Sequence, residues 1–111
     1  MAASDIASLI ARLEAAEGPI TDYMERRDIA EMASAAGLTT FEVADLLKAL
    51  RGSLDSALSL VPEGCAVDFK RFQNTGDGWA CVWTARGNRS GNGKTVAIAL
   101  CLAALKARAQ G

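Results

Sequence analysis

Histidine is absent from the 111-residue chain. Its absence removes the commonest general base, the commonest metal ligand and the one side chain that titrates near neutral pH. Cysteine is scarce: Cys65, Cys81 and Cys101 are too few and too widely spaced for a structural zinc site, and no histidine can complete one. An odd number of cysteines at apolar positions suits a reducing compartment, where a free thiol packs as a small hydrophobe. Long apolar runs are missing too. The longest, Val96 to Leu105, covers at most about half of a bilayer span. No signal peptide is read at the start, where Asp5 stands and no basic cluster does. The expectation is a cytoplasmic protein with no membrane attachment, no metal and no cofactor. No serine or cysteine has a histidine partner, and no carboxylate pair stands out as acid and base, so a non-enzymatic role is expected.

Alanine is what the chain has most of, at 22 positions, and half of all residues are hydrophobic. Such a composition predicts a folded, helix-rich single domain spanning 1–111. Charge is unevenly divided: residues 1–53 carry a net −4 and residues 54–111 a net +3. A dipolar chain of this kind can steer its encounter with a charged partner at low salt.

Ser4 is expected to cap a first helix with an apolar stripe of Ile6, Leu9, Ile10 and Leu13, stopped by Gly18 and Pro19. A second helix is predicted from Thr21 to Gly37. A third begins after Thr39, where Thr39-x-x-Glu42 reads as a capping box, and ends near Gly52. Ser53 caps a short fourth helix, Leu54 to Leu60. From Cys65 the period becomes two: Cys65, Val67 and Phe69 alternate with Asp68 and Lys70. After the turn residues Asn74 to Gly78, Trp79, Cys81 and Trp83 alternate with Ala80, Val82 and Thr84. Arg86 to Lys94 reads as a polar, glycine-rich loop before a last helix that carries Val96, Ile98, Ala99, Leu102 and Leu105. The fold class is therefore α+β: three to four helices, a β-hairpin and a C-terminal helix, with the helices packed on a small antiparallel sheet. It divides into a helical part, 1–52, and a helix-strand-strand-helix module, 53–111. A hairpin with unpaired edges accepts a strand from a second chain, so a homodimer or a strand-pairing target is expected unless the chain covers those edges itself.

Three constellations bear on function. The first is Gly93-Lys94-Thr95 between a strand and a helix. A phosphate-binding loop needs a glycine five places before Gly93, where Asn88 stands, and Gly87 is one position too far. A solvated connection is expected, with Arg86, Arg89 and Lys94 as the residues of an alternative phosphate or nucleic-acid contact. The second lies within residues 28–50, where Ala33, Gly37, Val43 and Leu46 have the spacing of a helix-turn-helix. Thr40 and Lys48 would then face DNA, but Glu42 and Asp45 would face phosphates unfavourably. An acidic helix of this kind suits a protein partner with a basic groove. The third is the pair Trp79 and Trp83. Burial under the flanking helices is expected, with partner anchoring or base stacking as the functional alternative.

Three segments carry a resemblance: Ser8 to Pro19, Ser53 to Gly64 and Ala97 to Ala109. They resemble the small phage and prophage proteins grouped as the phage ABA sandwich domain, with residues 20–52 departing from that pattern. The resemblance implies helix-sheet-helix layering and no particular activity. It also implies an accessory protein acting on a host protein, such as a CRISPR surveillance or other defence component. A helix-turn-helix DNA-binding regulator is the alternative, and a nucleotide or phosphate sponge the second alternative.

Overall fold

The computed structural model describes residues 3–110. Helix α1 (Ala3–Glu14) buries Leu9 and Leu13 completely and Ile6 almost so, as its apolar spacing requires. It begins one residue before Ser4, so the predicted cap position falls within the first turn of the helix. Helix α2 (Tyr23–Ala35) starts later than predicted because Asp22, not Thr21, is its cap, its carboxylate accepting from the Glu25 amide at 3.0 Å. Gly37, at φ +97°, makes the turn into α3 (Thr40–Leu50). There the capping box forms: Thr39 N–H donates to Glu42 Oε1 at 2.8 Å and Glu42 N–H to Thr39 Oγ1 at 3.2 Å. Ile20 N–H donates to the Leu50 carbonyl at 2.8 Å, which sets the start of α2 beside the end of α3. Helix α4 (Leu54–Leu58) is capped by Ser53 and ends two residues short of the predicted Leu60.

Helix α5 (Val96–Gln110) organises the rest. Every residue from Ile98 to Leu105 is fully buried. A helix that is apolar on all sides needs protein on all sides, and α5 has it: the sheet on one side, α1, α3 and α4 on the other. Among the described residues helix α2 packs on α1 and α3 and does not reach α5. The layers run sheet, α5, then the remaining helices, whereas the phage-domain resemblance implies a sheet between two helical layers.

The sheet has three strands, β1 (Ala66–Arg71), β2 (Gly78–Thr84) and β3 (Gly87–Gly93), paired antiparallel in chain order. The third strand replaces the loop expected over Arg86 to Lys94, and the hairpin becomes a meander. Its sequence has no strand propensity, and tertiary contact explains it. A Cβ on Gly91 would stand 2.6 Å from the Ala99 carbonyl oxygen and 2.7 Å from Leu102 Cβ. One on Gly93 would stand 2.8 Å from Ile98 Cγ2, and one on Gly78, paired with Gly93, 2.4 Å from Val96 Cα. The glycines let α5 lie against the backbone of β2 and β3, and pairing with β2 holds β3 extended. Lys106 Nζ donates to the Ser90 carbonyl at 3.1 Å and bridges to Glu14 at 3.2 Å, tying α5, β3 and α1 together.

Candidate binding face of the sheet

Strand alternation divides the sheet into two surfaces. Gly78, Ala80 and Val82 of β2, with Gly91 and Gly93 of β3, face α5. Trp79, Cys81 and Trp83 consequently face the other way. Among the described residues no helix lies over that outer face, and only α1 and α5 touch strands at all. The expected burial of the two tryptophans under the flanking helices does not occur: the side chains beneath α5 are the small ones, since β3 meets it with glycine.

The register builds the outer face outward from its central strand. Trp79 lies between Lys70 and Asn92, Cys81 between Asp68 and Ser90, and Trp83 between Ala66 and Asn88. Trp83 is 41% exposed. Lys70 Nζ sits 5.2 Å from the Phe72 ring centre and 5.6 Å from that of Trp79, a cation–π arrangement that fixes one end of the stripe. Cys81 is covered between its neighbours, and burial together with the Asp68 carboxylate pushes its thiol up. Cys101, inside α5, is pushed up to about 12 by burial. Both thiols stay protonated at neutral pH, which suits packing and not nucleophilic attack. The face thus has an aromatic centre and a rim of Asn88, Ser90, Asn92 and Lys70.

The acidic pair predicted on α3 has a different surrounding. Glu42 closes the capping box and also pairs with Arg108 Nη2 of α5, whose Nε donates to the Leu60 carbonyl at 3.0 Å. The Thr39 backbone hydrogen bond, with Arg108, holds the Glu42 carboxyl below the ordinary glutamate range against the opposing effect of burial. Asp45 is half-buried. Thr40 and Lys48 are exposed, as are Phe41, Ala44 and Arg51, so the fully exposed side chains here include no carboxylate, while Glu42 and Asp45 are partly covered.

The three cations of the predicted phosphate contact do not converge. Arg86 sits in the β2–β3 turn and Lys94 just past the far end of β3, about 25 Å away at the rise of an extended strand. Arg89, between them, is exposed and donates from Nη1 to the neighbouring Asn88 carbonyl. Lys94 faces Asp77 at 3.8 Å over a cleft of about 190 Å³ that Glu14 also lines, and two carboxylates disfavour an anion there. Thr95 caps α5, its hydroxyl accepting from the Ile98 amide at 3.1 Å. Among the described residues no group of three acidic or thiol side chains is placed to hold a metal, and no helix is long and apolar enough to cross a membrane.

Sequence reasoning missed the residues that lock the layers together. Arg108, Lys106 and Arg26 act on carbonyls distant in the chain; Arg26 Nη1 donates to Leu47 O at 2.8 Å and Ile20 O at 3.0 Å, satisfying the last turn of α3. A basic residue near the end of an otherwise apolar helix was the available signal for Arg108. Compared with known proteins, the chain matches no family model, no curated protein and no solved structure.

Proposed function

We propose that this chain is a non-enzymatic accessory protein of phage or prophage origin that binds a host protein through the open face of its sheet. The single observation behind the binding reading is the Trp79, Cys81, Trp83 stripe on a sheet face that no helix covers. Tryptophan at the centre of a polar rim is the composition of an interface hot spot. What supports the phage origin is the resemblance of the segments Ser8 to Pro19, Ser53 to Gly64 and Ala97 to Ala109 alone. A CRISPR surveillance or other defence component in the host cytoplasm is the kind of target that origin suggests. Captured on an immobilised chain, a stoichiometric host partner should be retained by the wild type and lost by Trp83→Ala, with circular dichroism unchanged. Recovery of no such partner, together with no effect in phage-restriction assays, overturns the proposal.

One observation favours a second reading, a helix-turn-helix DNA regulator. With Glu42 engaged by Arg108, the open side of α3 presents Thr40, Phe41, Ala44, Lys48 and Arg51. Gel shift at low salt, abolished by a Thr40→Ala, Lys48→Ala double variant, is its signature; absence of any shift ends it. A phosphate sponge has less support, because Arg86 and Lys94 stand at opposite ends of one strand.

A further inference from the structure

We infer that two copies of the chain join edge to edge through β1, in one register, to make a continuous six-stranded sheet. The two edges of the sheet differ. The β3 side is touched by α1 and carries the Lys106 bond to the Ser90 carbonyl. Among the described residues, β1 touches only β2 and α5, and five of its six residues are exposed. A bare edge of this length is a template for another strand.

The direction of its amides follows from two hydrogen bonds. Phe72 N–H donates to the Asp77 carbonyl at 2.8 Å, toward the β2 side. By two-residue alternation the Lys70 and Asp68 amides point the same way, and those of Val67, Phe69 and Arg71 point outward. Consistently, Phe69 N–H is taken by the neighbouring Asp68 carboxylate at 2.9 Å instead of by a strand.

A second β1 related by a two-fold axis normal to the sheet keeps like faces together, so facing residues share a face. Two central registers meet that condition. Centring on Asp68 would set the two Asp68 carboxylates opposite each other, a like-charge pair. Centring on Phe69 sets Asp68 opposite the second copy's Lys70 and Lys70 opposite its Asp68, on the tryptophan face. The same register places the outward amides of Val67, Phe69 and Arg71 in hydrogen-bonded positions, and brings together the two Phe69 rings, each 37% exposed in one copy. Asp68 exchanges its local bond to Phe69 for the ion pair, and Lys70 reaches it from above Phe72 and Trp79. The dimer carries both Trp79–Trp83 stripes on one surface, about 14 Å apart.

Charge reversal tests the register independently of any host partner. Sedimentation over a concentration series reaching about 1 mM should show a monomer–dimer equilibrium for the wild type. Asp68→Lys and Lys70→Asp should each weaken dimerisation about tenfold or more, since symmetry doubles each like-charge contact. The double variant Asp68→Lys, Lys70→Asp recreates both opposite-charge pairs and should recover the dimer, with circular dichroism reporting the fold of all three. A wild type that stays monomeric, single reversals that leave the dimer intact, or a double variant that fails to recover it, each overturn the inference.

Discussion

The two faces of the sheet are made by the same strands and have opposite designs. On the inner face glycine, alanine and valine remove bulk, so α5 approaches until its backbone nearly touches that of β3. On the outer face tryptophan and cysteine add bulk over which no helix of the described chain lies: Trp83 stands exposed, Trp79 is half-buried and Cys81 is covered by its strand neighbours. Close helix packing fixes the fold on one side, and large amphipathic side chains are kept for the other. Small residues in a strand are therefore as informative as large ones: they mark where another backbone must come close.

The largest effect that sharpens this contrast is expected at Gly91. In Gly91→Ala the new Cβ meets the Ala99 carbonyl and Leu102 at under 3 Å. Chemical denaturation should show a loss of about 3 kcal/mol or more, at the upper end of overpacking costs. Arg108→Ala should follow at about 2 kcal/mol, because it frees the Leu60 carbonyl and leaves the partly buried Glu42 unpaired.

Glu42→Gln should cost about 1 kcal/mol at neutral pH. Its carboxyl is held below the ordinary range in the folded chain, so the wild type's advantage is present above the unfolded value and is lost as pH falls through the folded one. The gap between wild type and variant should close below about pH 4 in paired urea titrations. Ser90→Ala is the smallest. It is the next residue to Gly91 but lies on the outer face, and its stability should stay within about 0.5 kcal/mol of wild type. A Ser90→Ala loss as large as that of Gly91→Ala would break the two-face account.

Local chemistry made much of the fold legible in the sequence. Ile6, Leu9 and Leu13 mark the buried stripe of α1, the Thr39 and Glu42 pair marks the start of α3, and the alternation at Val67, Phe69, Trp79 and Trp83 marks two strands, though not which face is packed. What was not legible depends on contacts between distant segments. β3, written Gly-Asn-Arg-Ser-Gly-Asn-Gly, is extended because β2 pairs with it and α5 lies on it, and neither cause is local. The outward orientation of the tryptophan stripe has the same cause: it is set by the approach of α5 to Gly78, Gly91 and Gly93, which no local pattern marks. Glu42 was legible as a cap but not as the partner of Arg108, 66 residues away.

Acrylamide quenching of Trp83 emission in a Trp79→Phe variant of the isolated chain tests the open face most directly. Emission typical of a water-exposed indole, readily quenched, is the predicted result. A blue-shifted emission that resists quenching would mean that the chain covers this face itself, and would contradict the division of the sheet into a packed side and a binding side.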